Sequence, residues 1–387
     1  MLKIKKYLPL ILSGILILTI LAINLFAANN LIFALSDHNE TCKSSILIER
    51  STGQVLKENN CHEKLPIASV TKLMTILLTL EEIDHGNINT EDLVMVSTTA
   101  SGMGGSQIFL DSNNEYKLGE LLKSVIVASA NDSSVAIAEY LSGSESNFVI
   151  RMNERAKELK MYDTNYANCT GLPTVDGYSS AYDQSILLNE VLKYSIYREY
   201  SSIWLENFVH PSGRITEMTN TNKLSRFYDG CIGGKTGSTN QAKYCLAVGA
   251  KRGETELISV VLGAENSKDR FKIASNELNY GFENFASYKI FSNLDLNGRS
   301  IKIKGQDKEI TLAAEREYTI ICTKNEKPNY TLNYNLPTKL NSSTQGEVVG
   351  NVEIIVDGVL VDSINILANE TYEESTIWDY FKDLVKS

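Results

Sequence analysis

The sequence predicts an α+β protein in which helices flank an antiparallel sheet and a small all-β domain follows. Apolar residues recur at helical spacing in the first part of the chain, as at 118–128 and 144–161. Strand-like runs at 232–237, 244–251 and 257–262 then follow one another through short turns. Helices inserted among hairpin-linked strands are typical of a sheet covered by helices.

The pattern changes after Tyr288 to short runs rich in β-branched residues. Asp357-Gly358 separates the last two runs and is a strong hairpin turn signal. We therefore predict a first domain over 40–290 and a small β-rich domain over 295–370. Further on, 375–387 has apolar residues at helical spacing and predicts an amphipathic helix, which either lies on a membrane surface or docks on the β domain.

Composition and charge limit the classes of function. The chain has 387 residues, which favours two domains over one core. Its net charge of -10 argues against a nucleic-acid partner. The four histidines form no zinc-hydrolase motif, so a metal-dependent hydrolase is poorly supported.

The first residues predict export. Lys3, Lys5 and Lys6 precede an uncharged apolar run from Leu8 to Ala28, the pattern of a signal segment. The run is close to the ~20 residues that span a bilayer. We interpret 1–34 as a signal peptide or membrane anchor and slightly favour cleavage.

The six cysteines include two pairs that are candidates for disulfides. Cys42 and Cys61 are nearly symmetric about a predicted turn at 51–53, and Cys231 and Cys245 are symmetric about Ser238. Disulfides are compatible with export, but free buried cysteines fit each pair equally well.

A helix beginning at Pro66 carries the first candidate catalytic residues. It is apolar on almost every side, which predicts burial, yet it contains Ser69 and Lys72 three positions apart on one face. Lysine is almost never buried without a partner. A desolvated lysine loses its charge and can accept the proton of a serine nucleophile. The alternative is a chance Ser-x-x-Lys whose amine extends to water.

Two further motifs follow in order along the chain. Ser129-Ala130-Asn131 lies between two predicted helices, and Lys235-Thr236-Gly237 lies on a predicted strand. Each also has a plain structural interpretation: Ser129 as a helix cap, Asn131 as a turn residue and Lys235 as a solvated charge. Their order, spacing and element type together favour a catalytic site.

Chemistry assigns each residue a role. Ser69 would attack a carbonyl, Lys72 would take its proton, and Ser129 would pass a proton to the departing amine. Asn131 would hold the substrate amide. The remaining candidates lie on the strand: Lys235 and Thr236 would bind a substrate carboxylate, Gly237 would let the substrate backbone approach, and Ser238 would complete an oxyanion hole with the backbone of Ser69.

These motifs resemble those of the penicillin-recognising serine hydrolases, and more narrowly the serine-type D-alanyl-D-alanine carboxypeptidases. Supporting stretches are Pro66–Met74, Ser129–Asp132, Phe148–Asn153, Asn220–Asn222 and Gly234–Gly237. The resemblance implies a β-lactamase/transpeptidase-like fold over 40–290, with the β domain and amphipathic tail in the family's usual places.

The resemblance also implies a function. Such an enzyme removes the terminal D-Ala from peptidoglycan stem peptides, is acylated by β-lactams, needs no metal or cofactor, and serves cell-wall organisation and cell shape at the extracytoplasmic face of the bacterial membrane or in the wall. Two positions depart from the family pattern: Tyr182 stands where Arg is usual, and Lys160 precedes Met161 where Gly is common.

Three other functions remain as alternatives. A β-lactamase of the same fold carries a deacylating Glu in the loop at 162–178, and this chain has no Glu there. A D,D-endopeptidase or transpeptidase would differ in its products. A catalytically silent wall-binding scaffold is disfavoured by the intact Ser69 and Lys72.

Overall fold

The computed structural model describes residues 41–374 and 376–377. The predicted export segment at 1–34 lies outside the described residues, as does nearly all of the predicted helix at 375–387. Within the described ranges, no helix combines the length and apolar character needed to cross a membrane.

The elements alternate between helices and strands before Phe285 and are almost all strands after it. The helices are α1 (Lys72–Asp84), α2 (Thr98–Ser101), α3 (Leu118–Val127), α4 (Asn131–Ser142), α5 (Glu145–Glu158), α6 (Ala181–Val191), α7 (Ser195–Ser202), α8 (Leu224–Phe227) and α9 (Ser267–Asn284). Short 3-10 turns occur at Ala68–Thr71 and Asn293–Leu296. The strands are β1 (Ser44–Glu49), β2 (Val55–Asn59), β3 (Leu93–Met95), β4 (Glu115–Lys117), β5 (Leu205–Val209), β6 (Ile215–Thr219), β7 (Cys231–Thr239), β8 (Lys243–Arg252), β9 (Thr255–Ala264), β10 (Phe285–Phe291), β11 (Ser300–Ile303), β12 (Glu309–Ala314), β13 (Tyr318–Thr323), β14 (Tyr330–Asn335), β15 (Lys339–Leu340), β16 (Val348–Val356) and β17 (Val359–Ala368).

An antiparallel sheet organises the first part of the chain, in the order β2-β1-β9-β8-β7. Side chains alternate between its faces, so Cys245 and Ala247 join the large core around α1, while Leu246 and Val248 join the smaller core under α9. Helices therefore cover both faces, which confirms the predicted antiparallel sheet flanked by helices. Strand β7 lies at an edge of this sheet.

The β-rich part has its own apolar core and contains a six-stranded sheet in the order β14-β16-β17-β12-β11-β15. Its predicted hairpin is present: Val356 pairs with Val359, and Asp357 and Gly358 both have left-handed φ angles, 49° and 79°. Two such residues form the turn whose twist matches that of the strands. The predicted small all-β domain after the first sheet is thereby confirmed as part of the fold class.

All six cysteines, each within the described ranges, are free, so neither candidate disulfide is present. Cys61 belongs to the core around α1, whereas Cys42 packs against the core under α9 on the other face of the sheet. The β7–β8 hairpin is centred beyond Ser238, which places Ala250 opposite Cys231 and Gly237 opposite Cys245. Symmetry about a presumed turn residue was therefore a poor guide to pairing.

Candidate active site

Ser69 lies in the 3-10 turn Ala68–Thr71, which leads directly into α1. The predicted helix thus begins with a tighter turn than the sequence indicates. All residues from Lys72 to Leu80 are buried, in agreement with the apolar pattern, while Ser69 itself is only partly buried. The turn therefore presents one accessible hydroxyl above a buried helix.

Lys72 places its amine beside that hydroxyl. Its Nζ is 2.9 Å from Ser69 Oγ and donates to the carbonyl of Thr170 at 2.7 Å. The side chain is fully buried, and desolvation lowers the pKa of Lys72 to about 7. Cys169 and Asp132 oppose this shift electrostatically but do not reverse it. Near neutral pH a large share of the amine is therefore uncharged and able to accept the Ser69 proton.

Ser129 lies between α3 and α4 with a left-handed φ of 62°. Such backbone is strained by about 1–3 kcal/mol in a residue other than glycine and is often found at functional sites. Its hydroxyl accepts a hydrogen bond from Lys235 Nζ at 2.7 Å. The N-cap of α4 is Ala130, so the helix-cap interpretation of Ser129 is wrong.

Asn131 is the first residue of α4 and is only 3% exposed. Its side-chain amide donates to the Gly104 carbonyl at 2.7 Å, and its backbone N–H donates to Ser106 O at 2.7 Å. Among the residues that the structure describes, its Oδ1 is buried with no hydrogen-bond partner. The glycine-rich stretch 100–106 therefore lies beside Asn131.

The strand motif lies on the edge strand β7. Lys235 and Thr236 are buried, whereas Ser238 is exposed. Burial and the nearby charges of Lys72 and Arg270 hold the pKa of Lys235 well below its usual range. An anionic ligand at this edge would favour the charged form of Lys235, since an opposite charge raises a lysine pKa.

The structure gives a packing reason for glycine at position 237, and sequence reasoning missed it. A methyl group added at Gly237 would lie 2.5 Å from Ile67 O and 3.0 Å from Ser69 N. The glycine therefore lets β7 pack directly against the turn that carries Ser69, rather than serving only the approach of a substrate. This contact brings the backbone N–H of Ser69 close to the strand, as a shared oxyanion hole with Ser238 requires.

The structure thus brings the three motifs into contact with one another. Lys72 contacts Ser69, Lys235 contacts Ser129, and Gly237 contacts the Ser69 turn. Comparison with protein families agrees with this geometry. The model described as D-alanyl-D-alanine carboxypeptidase matches residues 32–266, and that of the penicillin-binding protein 5 C-terminal domain matches 285–374.

The chain belongs to the D-alanyl-D-alanine carboxypeptidase family.

The similarity to known proteins extends over most of the chain. D-alanyl-D-alanine carboxypeptidase DacF of Bacillus subtilis is 36% identical, with 98% of this chain and 97% of that protein covered. DacD of Escherichia coli is 31% identical over 81% of this chain and 82% of its own length. Among solved structures, penicillin binding protein 5 from Haemophilus influenzae is 28% identical with a TM-score of 0.69, covering 87% of this chain and 98% of that one.

These comparisons confirm the predicted function: the protein is a D-alanyl-D-alanine carboxypeptidase, a serine hydrolase. Enzymes of this family act on peptidoglycan peptides, bind β-lactams and work in the periplasm or cell wall. The predicted likeness to penicillin-binding proteins is confirmed by the same matches.

Arg270 is a residue of this carboxypeptidase site that sequence reasoning missed. It extends from α9 and donates to the carbonyls of Gly237 at 2.9 Å and Cys245 at 3.2 Å. It is 8% exposed, and burial lowers its pKa. The arginine therefore fixes the strand motif from behind and adds positive charge to its edge. An arginine in an ordinary amphipathic helix gives no sequence signal of this role.

The two departures from the family pattern have local explanations. Tyr182 packs its ring against His62, with centroids 4.7 Å apart, and donates its backbone N–H to Cys61 O. An aromatic contact thus occupies the place where the family usually has an arginine. Lys160 adopts a left-handed φ of 60°, the conformation that explains why glycine is common there.

We expect Gly237→Ala to reduce acylation by penicillin strongly, because the added methyl must displace either β7 or the Ser69 turn. Overpacking of this kind costs about 1–3 kcal/mol, so the melting temperature should also fall. Stopped-flow acylation with a fluorescent penicillin and thermal unfolding measure the two effects. Wild-type values for both would contradict the close packing of the strand on the turn.

The rate of acylation should rise with pH through a midpoint near 7 and then level off. The direction follows because Lys72, whose pKa is about 7, can act as a base only when it is neutral, which is above that pH. The second-order rate constant for a fluorescent penicillin, measured from pH 5 to 10, reports this midpoint. A flat profile, or a rise only above about pH 9, would exclude Lys72 as the base.

Proposed function

We propose that Ser69 is the nucleophile that attacks the carbonyl between the two terminal D-Ala residues of a peptidoglycan stem peptide. The observation that carries this proposal is the 2.9 Å contact between Ser69 Oγ and the fully buried amine of Lys72. A serine hydroxyl needs an adjacent base to become nucleophilic. The lowered pKa of Lys72 supports that role at neutral pH.

Acylation would proceed with Lys72 taking the Ser69 proton as the Oγ–carbon bond forms. The carbon–nitrogen bond to the last D-Ala then breaks, and its amine takes a proton through Ser129, which recovers one from Lys72. The backbone N–H groups of Ser69 and Ser238 would stabilise the oxyanion, an effect typically worth about 3–4 kcal/mol per donor. Deacylation repeats these steps with water as nucleophile and Lys72 again as base.

Substrate recognition would use strand β7, which packs against the Ser69 turn. We assign Lys235 and Thr236 to the terminal carboxylate, which would restore the charge of Lys235. Arg270 supports this strand from behind and strengthens the positive potential. Asn131 would hold the substrate amide through its side chain, which lies beside the glycine-rich loop.

The proposal also covers the location of the protein and the boundaries of its domains. We assign 1–34 to export or anchoring, because three lysines precede an uncharged apolar run. We retain 40–290 as the peptidase domain, 295–370 as the small β domain and 375–387 as an amphipathic helix suited to a membrane surface. The proposed site of action is the extracytoplasmic face of the cell membrane or the cell wall.

We expect purified protein to release D-Ala from a diacyl tripeptide ending in D-Ala-D-Ala, and Ser69→Ala to abolish both release and covalent penicillin labelling. Amino-acid analysis and intact-mass spectrometry measure these results. Ser342→Ala, which changes an exposed serine of the β-rich part, serves as the control. Release that persists in Ser69→Ala would reject Ser69 as nucleophile.

Lys235→Ala should weaken turnover of a peptide with a free terminal carboxylate far more than that of its amidated analogue, because only the former offers a negative charge to the amine. A bond between charged groups contributes about 1.5–3 kcal/mol, which corresponds to roughly ten- to hundredfold in kcat/KM. Equal losses for both peptides would remove the proposed contact.

A further inference from the structure

The carbonyl of Thr170 is the second acceptor of the Lys72 amine, at 2.7 Å, and it belongs to a segment without regular secondary structure. The neighbouring residue Cys169 is fully buried, and both of its backbone polar groups are bonded. Its carbonyl accepts from Thr75 Oγ1 at 2.8 Å, and its N–H donates to Glu145 Oε1 at 3.0 Å. Three consecutive peptide units are thus fixed on α1 and α5.

The rest of the segment is equally constrained. Asn153 of α5 accepts from Tyr166 N–H and donates to Tyr166 O, each at 2.8 Å. Asn168 Oδ1 accepts from the N–H groups of Thr170 and Gly171. At Gly171 an added methyl would lie 1.9 Å from Ala68 O, so the segment presses on the turn that carries Ser69.

Glu145 belongs to this network but has no role in the catalytic steps proposed above. It is the first residue of α5, it is partly buried, and its carboxylate reaches across to another segment. Burial raises the pKa of the Cys169 thiol, Glu145 adds to this shift and Lys72 opposes it. The carboxylate therefore bonds to the segment, whereas the Lys72 amine bonds to Ser69 and to the Thr170 carbonyl.

We propose that Glu145 is a positioning residue for the general base: by accepting the Cys169 N–H it fixes the peptide whose Thr170 carbonyl holds Lys72 against Ser69. The proposal rests on the proposed role of Lys72. Fixing this segment also keeps water from an amine that is 0% exposed. Releasing the segment would hydrate that amine and favour its charged form, since desolvation is the main cause of its low pKa.

The other charged or titratable groups that face Lys72 lie outside the segment, with the exception of Cys169. They are Asp132 from α4, Cys169 from the segment itself and Lys235 from β7. Asp132 is held by the backbone N–H groups of Ile108, Leu110 and Ser133, whereas the Glu145 side chain accepts from Cys169. A change in the pH profile would therefore report the position of the segment.

The test compares Glu145→Ala with Glu145→Gln by the pH dependence of acylation by a fluorescent penicillin. Glu145→Ala removes the acceptor, so we expect at least a fivefold loss at pH 7 and recovery to within twofold of wild type at pH 9.5. Glu145→Gln keeps an oxygen acceptor and should stay within twofold throughout. Glu154→Ala, which removes the same charge from an exposed position on α5, should not differ from wild type.

Two results would overturn the proposal: a wild-type profile for Glu145→Ala, or an equal loss at every pH, which indicates general damage to the fold. If Glu145→Ala does not fold, Glu145→Asp replaces it, since the shorter side chain cannot reach Cys169 and the same profile is expected. Failure of the proposed function is distinguishable, because it would show as a wild-type profile without an inflection near pH 7 or as penicillin labelling of Ser69→Ala.

Discussion

The burial of one amine without a carboxylate partner is the constraint on which this site depends. Lys72 lies in the core beneath Ser69, and across the described ranges its hydrogen bonds go only to a hydroxyl and a carbonyl. An ion pair would hold the amine in its charged form, whereas neutral partners and desolvation favour the free base. The apolar surroundings of α1, which form the largest core of the protein, therefore also set the chemistry of the site.

A second buried amine, that of Lys235, lies on strand β7. Lys235 and Lys72 lie close enough to disfavour each other's charge, and Arg270 adds a third positive group behind the strand. Charging both lysines beside Arg270 is unfavourable without substrate, and a carboxylate ligand would favour the charged form of Lys235. One lysine is thereby suited to accept a proton and the other to bind an anion, although both belong to the same buried network.

Much of the site could be predicted because side-chain chemistry at fixed spacing leaves a trace in the sequence. Ser69 and Lys72 share a helix face, and the turn at Asp357-Gly358 has a known conformational cause. Backbone partners leave no such trace. The Thr170 carbonyl accepts a hydrogen bond from Lys72 because of where it lies, and every residue type has such a carbonyl. Arg270 was missed because its role depends on how α9 packs against the sheet. The cysteine pairs failed because symmetry about a turn says nothing about which face of a sheet a side chain occupies.

Direct titration of Lys72 tests the central claim. Lysine labelled with ¹³C at Cε gives one NMR signal per residue, and the Lys72→Met variant identifies the relevant signal by its disappearance. We expect its chemical shift to titrate with a midpoint near pH 7, as the burial of the amine requires. A midpoint close to the ordinary lysine value of about 10.4 would contradict a neutral base at Lys72 and the mechanism built on it.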